Sequence, residues 1–337
     1  MHSNPHTALV TGAASGLGFE AAAQIAERER GQVIVTGRTK SKAREARDAL
    51  TNRTGRNVFE SLELDLDDIA SVEAAVEALA ERGGSIDLLI LNAGITSPSE
   101  VAMSVDGIER TISSSLVGHH VLVMRLLEHG LVGEHARIVV ASSEAARGDV
   151  PTFHPVDFRM MADDHFGGDL GAAIEAQVRM EPPASYKPSE QYATAKVLVA
   201  WWAAQLASRL PGGVTVNAVS PGSTPDTNAI RNAPFYMKYL MVPMFKLLPG
   251  MSHGVADGAR RYLDVADLGD DVSGRFFASP PRKMTGELTQ MEQAHISDVA
   301  AQEAAWETTV RVTGVDLAGP TASRSTGSTE TWLPRAA

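Results

Sequence analysis

A tyrosine and a lysine four positions apart begin one of the most apolar stretches of the chain. They are Tyr192 and Lys196, in the segment QYATAKVLVAWW. On a helix, residues i and i+4 lie on one face, so the phenol and the ammonium would point into the same space. A nearby ammonium favours the phenolate and lowers the phenol pKa from its reference value of about 10. The spacing is therefore typical of a general acid–base pair, although Tyr and Lys also fall at this spacing by chance in many proteins.

The elements that must position this pair alternate between strand-like and helix-like segments. Apolar segments of strand length occur at 7–12, 32–37, 57–64, 86–94, 136–142 and 213–222. Segments with helical spacing of apolar residues occur at 17–30, 39–53, 69–82, 104–129 and 190–210. This alternation predicts an α/β fold, a Rossmann-type doubly wound parallel sheet with helices on both faces. Ligands of such sheets bind beyond the carboxyl ends of the strands, and the functional residues are expected there.

Composition excludes several classes of function. The chain has 337 residues, of which 44% are hydrophobic and 21% charged, as in ordinary globular proteins. The formal net charge of −11 argues against a nucleic-acid partner, which needs a basic surface. The absence of cysteine excludes disulfides and thiolate catalysis, and it fits a reducing compartment. No signal-like segment and no run of about 18 apolar residues occurs, so we expect a cytoplasmic protein without a membrane span.

A glycine-rich turn follows the first predicted strand and begins the first predicted helix. It reads TGAASGLG over residues 11–18, with glycines at positions 12, 16 and 18. Glycines let the backbone approach a pyrophosphate, and a helix N-terminus offers free N–H groups and a positive dipole end. Within a βαβ unit, this turn indicates a dinucleotide-binding site, and an ordinary tight turn is the alternative.

The residue after the second predicted strand indicates which dinucleotide binds. An acidic side chain there would hydrogen-bond the ribose of NAD, whereas an arginine accommodates the additional phosphate of NADP. The chain has Arg38 at this place, with Lys40 and Lys42 close behind. Arginine can bind a phosphate through two parallel hydrogen bonds. NADP(H) is therefore expected in preference to NAD(H), and a solvated basic helix start is the alternative. Asp65, after the third strand, is a candidate contact for the adenine.

Taken together, the motifs resemble the classical short-chain dehydrogenase/reductase family over about residues 5–290. Five motifs carry the resemblance in the family's order: the glycine turn at 11–18, Asn92-Ala93-Gly94, Ser143, the Tyr192 and Lys196 pair, and the Asn-x-x-x-Pro-Gly segment at 217–222. Within the family, the chain is similar to the carbonyl reductases, the retinol dehydrogenases and the protochlorophyllide reductases.

The resemblance implies a hydride-transfer enzyme with named roles for its residues. Ser143 would hydrogen-bond the substrate oxygen, Tyr192 would exchange a proton with it, and Lys196 would tune Tyr192 and hold the nicotinamide ribose. Ser115 falls where the family has a relay asparagine; its hydroxyl is shorter than an amide, so the relay is expected to use differently placed water or to run more slowly. The cofactor contacts implied are Gly12, Ser15, Gly16, Leu17, Gly18, Arg38, Thr39, Asp65, Leu66, Asn92, Ala93, Gly94, Tyr192, Lys196, Pro221, Gly222 and Thr224.

One domain is expected over 5–290, followed at 291–337 by a C-terminal helix and a loosely ordered tail. The resemblance implies that residues of about 223–255 form a substrate lid. An insertion at about 147–188 precedes the catalytic tyrosine, and it would cover the face through which the family's tetramers associate. We therefore expect a monomer or a non-classical dimer.

Several residues with reactive side chains are expected to have ordinary roles. A metal site is possible by residue type at 163–165 (Asp-Asp-His), but a solvated loop is expected there and no metal is predicted. Tyr186 lacks a lysine four residues on and is not expected to be catalytic. Core packing is expected for four residues on predicted buried helices: His119, His120, Trp201 and Trp202.

The predicted activity is NADP(H)-dependent reduction of a ketone or aldehyde on a fairly apolar small molecule, with Tyr192 as general acid. One alternative is a dehydrogenase that oxidises a secondary alcohol or sterol. A second alternative is a cofactor-binding protein with weak turnover. Ser115 leaves that second alternative open, as does Asp226, which stands where the family's cofactor-contacting threonine is expected.

Overall fold

An eight-stranded sheet forms the centre of the protein, which is represented by a computed structural model that describes residues 7–28, 31–224 and 252–317. The strand order is β3-β2-β1-β4-β5-β6-β7-β8. The strands are β1 (Thr7–Val10), β2 (Gln32–Gly37), β3 (Phe59–Glu63), β4 (Ile86–Leu91), β5 (Val132–Ala141), β6 (Thr215–Val219), β7 (Phe276–Ala278) and β8 (Thr289–Gln290). The first seven are parallel and β8 is antiparallel to β7. The order reverses between β1 and β4, where doubly wound sheets bind their ligands.

Helices connect the strands. They are α1 (Gly16–Arg28), α2 (Lys40–Thr54), α3 (Ile69–Arg82), α4 (Arg110–Ile112), α5 (Gly118–Glu128), α6 (Phe158–His165), α7 (Leu170–Arg179), α8 (Pro188–Ala207), α9 (Val255–Ala266) and α10 (Val299–Thr313). The described segments contain no helix that is long and apolar enough to cross a membrane.

Two hydrophobic clusters cover the two faces of the sheet. Consecutive strand residues point to opposite faces, so Leu9 belongs to the cluster beneath α3, α5 and α8, whereas Ala8 and Val10 belong to the cluster beneath α1, α2 and α9. Both clusters are built from buried aliphatic side chains, as expected for parallel strands covered on both faces. The Rossmann-type doubly wound fold predicted from the alternation of segments is therefore confirmed.

The helix predicted at 104–129 is interrupted. Its first turn is α4, its last part is α5, and a π-helical turn joins them at Ser113–Val117. Gly118 follows this turn at a close contact with the loop after β3, where a Cβ would lie 2.5 Å from the Leu66 carbonyl oxygen. The π turn contains Ser115, and such turns often occur at functional sites.

The insertion at about 147–188 contains two helices, α6 and α7, which the sequence analysis did not assign. The Phe158 ring of α6 lies 6.0 Å from that of Trp201 on α8. Glu175 of α7 forms an ion pair with Arg311 of α10 at 2.7 Å. The insertion and α10 therefore pack on the helices that cover one face of the sheet.

Two segments of the expected organisation fall largely outside the described residues. The lid expected at 223–255 is described only at 223–224 and 252–255, and the tail only as far as residue 317.

Candidate active site

The turn between β1 and α1 is held by side chains and backbone from neighbouring strands. The Thr11 hydroxyl accepts the Ala93 N–H at 2.9 Å, and the Asn92 side-chain amide donates to the Thr11 carbonyl at 3.0 Å. Gly18 packs against this amide so closely that a Cβ would lie 2.4 Å from Asn92 Nδ2. The asparagine of the Asn-Ala-Gly motif is therefore a structural clamp on the glycine turn.

The clamped turn fits the pyrophosphate of a dinucleotide. Gly12 and Gly16 both have positive φ angles, 66° and 61°, which glycine adopts without strain. α1 begins at Gly16, and the N–H groups of its first turn have no partner within the helix. Ser15 is exposed and Leu17 is half-buried. The turn thus leaves backbone donors and the positive end of a helix dipole at the carboxyl edge of the sheet.

Arg38 and Thr39 follow β2, and Asp65 and Leu66 follow β3, the next strand outward from β1. Arg38 is exposed, and its guanidinium forms none of the ion pairs found in the described segments. The Thr39 hydroxyl accepts the Lys42 N–H at 3.2 Å and so caps α2, while Asp65 Oδ1 accepts the Asp67 N–H at 3.1 Å. Leu66 is buried. Of these four residues, Arg38 is the exposed cation, and it directly follows β2.

Tyr192 and Lys196 lie on the second and third turns of α8, and Ser143 follows β5. The Lys196 ammonium lies 5.7 Å from the centre of the Tyr192 ring and donates to the Ala141 carbonyl at 3.1 Å. Ser142 is buried and donates to the Lys196 carbonyl at 2.9 Å, so it ties β5 to α8. The hydroxyl of Ser143 is the one that hydrogen-bonds Tyr192. The fold therefore brings the three predicted residues together.

Burial dominates the electrostatics of this group. It raises the pKa of Tyr192, an effect that the Ser143 hydrogen bond opposes and the negative charge of Glu144 reinforces. Burial also lowers the pKa of Lys196 to about 8. The sequence analysis expected Lys196 to lower the pKa of Tyr192. The structure gives the opposite direction, because burial of the phenol outweighs the effects that lower its pKa.

Ser115 lies opposite Lys196, with Gly94 between them. A Cβ on Gly94 would lie 2.9 Å from Ser115 Oγ and 3.4 Å from Lys196 Nζ, so only glycine leaves room for both side chains. Ser115 Oγ is buried and has no hydrogen-bond partner. The structure thus places the predicted relay serine beside the lysine, with its hydroxyl available.

His119 connects this serine to the glycine turn, a role that the sequence analysis missed when it expected only core packing. Its Nδ1 lies 3.1 Å from the Ser115 carbonyl, and its Nε2 lies 2.9 Å from the Thr11 hydroxyl. Burial lowers the pKa of His119 to about 4, so the ring is neutral at neutral pH. Because a carbonyl only accepts, Nδ1 carries the hydrogen and Nε2 accepts from Thr11.

Pro221, Gly222 and Thr224 follow β6. Gly222 has a φ angle of 79°, and its N–H donates to the Ser220 hydroxyl at 3.2 Å. His253 Nε2 lies 2.7 Å from the Pro221 carbonyl. Thr224 packs against α9, where its methyl group would lie 2.7 Å from a Cβ on Gly258. Asp226, which stands where the family's cofactor-contacting threonine is expected, lies outside the described residues.

A second tyrosine contacts the clamp and gave no signal in the sequence. Tyr262 is buried on α9, and its hydroxyl donates to Asn92 Oδ1 at 3.0 Å. Burial raises its pKa, so it remains a donor. It orients the Asn92 amide, whose nitrogen then faces the glycine turn. In the sequence Tyr262 is an ordinary apolar position of an amphipathic helix.

Apart from His119, the residues expected to have ordinary roles make none of these contacts. Tyr186 donates to the Pro98 carbonyl at 2.8 Å, and burial raises its pKa to about 12. Residues 163–165 lie at the exposed end of α6. The part of the chain described by the structure holds no group of three His, Asp or Glu side chains that could bind a metal ion.

Comparison with known proteins agrees with this arrangement. Residues 6–155 match the family described as short chain dehydrogenase. The chain is 28% identical to the short chain dehydrogenase sor7 of Hypocrea jecorina over 80% of its own length and 74% of the relative's. It is 24% identical to the chloroplastic protochlorophyllide reductase of Chlamydomonas reinhardtii, over 92% and 78% respectively. Its fold resembles a solved short chain dehydrogenase of Burkholderia cenocepacia in complex with NADP, with a TM-score of 0.56, 24% identity and coverage of 80% and 94%.

The match to the short chain dehydrogenase family extends over residues 6–155, and relatives named as short-chain dehydrogenases or reductases match most of the chain. These matches and the glycine turn together support an oxidoreductase of this kind that binds a nicotinamide dinucleotide.

Proposed function

We propose that the protein uses NADP(H) to reduce a ketone or aldehyde on a fairly apolar small molecule. The observation that carries this proposal is the convergence of Ser143, Tyr192 and Lys196 around one point at the carboxyl edge of the sheet, beside Gly94. A raised pKa keeps the Tyr192 phenol protonated at neutral pH. A protonated phenol is the form that donates a proton to a carbonyl oxygen, as a reduction requires.

The residues divide the work as follows. A bound nicotinamide supplies the hydride. The Ser143 and Tyr192 hydroxyls hold the carbonyl oxygen, and they stabilise the negative charge that develops on it. Tyr192 then gives its proton to that oxygen. Lys196 uses one of its three donors on the Ala141 carbonyl and keeps the others for the cofactor ribose and for water near Ser115. The Phe153 ring, 5.8 Å from that of Tyr192, shields the phenol from bulk water.

The tyrosine assignment is tested with two matched variants. Tyr192→Phe should lower kcat by about 10²–10⁴-fold, because it removes the general acid. Its NADPH dissociation constant should stay near that of the parent, because backbone and other side chains hold the cofactor. Tyr186→Phe is the control, since it removes a tyrosine hydroxyl that donates to the Pro98 carbonyl and contacts none of Ser143, Tyr192 and Lys196. The assay follows NADPH absorbance over a panel of ketones, aldehydes and quinones. Robust turnover by Tyr192→Phe would contradict the proposal.

NADP(H) is proposed as the cofactor because Arg38 is exposed at the end of β2 with no ion-pair partner in the described segments. The bound NADP of the Burkholderia structure is consistent with this choice. Arg38→Leu should weaken NADPH binding by about 10–100-fold, as expected for losing a charge-assisted contact, and leave NADH binding unchanged. Arg44→Leu, an exposed arginine on α2, is the control and should change neither. Equal losses for both nucleotides in Arg38→Leu would remove the basis for NADP preference.

We further propose a monomer or a non-classical dimer in the cytoplasm, related to the carbonyl, retinol and protochlorophyllide reductases. Support for the oligomeric state comes from the helices of the insertion and α10, which pack against α8. His120 of α5 also donates to the Val315 carbonyl at 2.8 Å, so the segment after α10 reaches α5. Light scattering of the full chain tests this, and the mass of a compact tetramer would contradict it.

A further inference from the structure

A buried carboxylate directly follows the predicted catalytic serine. Glu144 is 2% exposed and begins the short helical turn after Ser143. Its Oε1 accepts the Ser279 hydroxyl at 2.8 Å, the Ser279 N–H at 3.3 Å and a guanidinium N–H of Arg261 at 3.4 Å. Its Oε2 accepts the Ser220 hydroxyl. One side chain thus joins the ends of three neighbouring strands, β5, β6 and β7.

Arg261 extends the same network from α9. It is 5% exposed, and it donates to the Ser220 carbonyl at 3.2 Å and to the Gly286 carbonyl at 2.6 Å. A buried ion pair is seldom worth more than apolar residues of the same volume, because both charges lose their hydration. Stability alone therefore does not explain why Glu144 and Arg261 are charged. Their contacts give a second reason.

The contacts run from the serine to the segment after β6. Ser220 donates to Glu144 and accepts the Gly222 N–H at 3.2 Å, so the position of Gly222 depends on the carboxylate. On the other side, Glu144 is bonded through the backbone to Ser143, whose hydroxyl hydrogen-bonds Tyr192. Ser143 belongs to the predicted reaction centre, and Pro221 and Gly222 belong to the predicted cofactor contacts. A single carboxylate therefore connects the two.

We propose that Glu144, held by Arg261, is a positioning residue that fixes Ser143 and the segment 220–222 relative to one another. The inference rests on the proposed function, because it assigns the substrate oxygen to Ser143 and the nicotinamide end of the cofactor to 220–222. Glu144 touches neither ligand. It acts by setting the distance between the groups that do.

The charge of Glu144 is what this role requires. Both of its oxygens face donors, so Glu144→Gln would turn an amide NH₂ toward hydroxyl, backbone or guanidinium donors on one side. It would also leave the buried charge of Arg261 without its partner, which is strongly destabilising. Glu144→Gln combined with Arg261→Met removes that unpaired charge. An amide NH₂ turned toward Ser220 would reverse that hydrogen bond and leave the Ser220 hydroxyl, which already accepts the Gly222 N–H, without an acceptor for its own hydrogen. The double variant should recover stability while this loss at Ser220 remains, and this separates positioning from stability.

The test uses the full chain and three readouts. Hydrogen exchange measures protection of the peptide covering 220–224, nucleotide fluorescence measures the NADPH dissociation constant, and steady-state assays measure kcat and KM. Glu109→Gln is the control, because Glu109 is equally buried but accepts from Thr111 and Gln191 instead.

Glu144→Gln and the double variant should both exchange faster at 220–224, bind NADPH about tenfold more weakly and lose about 10²-fold in kcat, the effect of misplacing reacting groups by about 1 Å. The double variant should do so with near-parental thermal stability. Glu109→Gln should lose stability without faster exchange at 220–224.

Parental exchange at 220–224 in the double variant, together with parental NADPH affinity, would overturn the inference. A parent protein that binds NADPH but reduces no carbonyl would contradict the proposed function instead, and exchange and NADPH affinity would still judge Glu144. Exchange at 220–224 needs no cofactor, so it decides the matter even if the parent binds another nucleotide.

Discussion

The two ends of the candidate site are built from different kinds of contact. At the cofactor end, Thr11, Asn92 and His119 hold the glycine turn through neutral hydrogen bonds and close backbone packing. At the reaction end, Glu144 and Arg261 place two opposite charges beneath the ends of three strands. These contacts are buried at both ends. Adding a charge should therefore destabilise the cofactor end, and removing one charge of the Glu144–Arg261 pair should destabilise the reaction end.

The neutral contacts of the cofactor end and the ionic contacts of the reaction end suit different ligands. A neutral backbone cradle suits a ligand that brings its own charge, since the free N–H groups of α1 would hold a pyrophosphate. A reaction centre must hold a polar oxygen at a fixed distance from hydroxyl groups, and ionic contacts resist displacement more strongly than neutral ones. The comparison leads to three further predictions, taken from the largest expected effect to the smallest.

Low pH should destabilise the cofactor end more than the reaction end. Burial lowers the pKa of His119 and His120 to about 4, below the reference value of about 6.5. The unfolded chain therefore binds more protons than the folded one between these values, so stability is complete above about pH 6.5 and is lost as pH falls toward 4. Urea unfolding should show the free energy of unfolding falling by about 1.4 kcal/mol per pH unit for each histidine within that window.

His119→Gln isolates the contribution of the cofactor end. A glutamine can donate to Ser115 and accept from Thr11 without titrating, so the pH slope should fall by about 1.4 kcal/mol per unit. His165→Gln is the matched control, since this histidine lies exposed at the end of α6, and its slope should match the parent's. If the pH slope of the unfolding free energy is unchanged in His119→Gln, the contacts of residue 119 with Ser115 and Thr11 do not depend on a neutral imidazole ring.

The sequence predicted the cofactor end more completely than the reaction end, and the reason is physical. The glycine turn, Asn92 and Arg38 lie directly after strands, so a local pattern marks each of them. Ser143, Tyr192 and Lys196 were also found, by a family pattern of residue types. Glu144 and Arg261 meet only through the fold, across more than one hundred residues of chain, and either alone resembles an ordinary surface charge.

The same limit explains the differences in the fold. α6 and α7 lie in the insertion, where short amphipathic segments alternate with turns and give weak periodicity. β7 and β8 have three and two residues, too few for a strand pattern. The five residues of the π turn at Ser113–Val117 are all buried and stand between two buried helical segments, so no exposed face marks the turn in the sequence. The raised pKa of Tyr192 depends on its burial, which residue spacing does not encode.

Gly18→Ala tests the packing of the neutral end and ranks second. A Cβ would lie 2.4 Å from Asn92 Nδ2 and 2.6 Å from the Gly12 carbonyl oxygen, so the clamp or the turn must move. We expect a loss of about 1–3 kcal/mol in unfolding free energy and weaker NADPH binding. Gly212→Ala is the control, because Gly212 has nothing within 4 Å of its Cβ position and should be neutral. Parental stability and affinity in Gly18→Ala would mean that the clamp is not tight.

Ser115→Ala has the smallest expected effect on stability and tests the boundary between the two ends. Its hydroxyl is buried without a partner, so its removal should leave the unfolding free energy unchanged or raise it by about 1 kcal/mol. Ser114→Ala is the control, since it removes a neighbouring hydroxyl that donates to the Arg110 carbonyl at 2.7 Å.

If Ser115 passes protons through water near Lys196, Ser115→Ala should lower kcat about tenfold or more, within the range of general acid–base contributions, and Ser114→Ala should not. If Ser115→Ala is at least as stable as the parent but turns over more slowly, the Ser115 hydroxyl contributes to catalysis and lowers stability. A kcat equal to that of the parent in Ser115→Ala would exclude Ser115 from proton transfer. The proton would then have to reach Tyr192 from the side of Ser143.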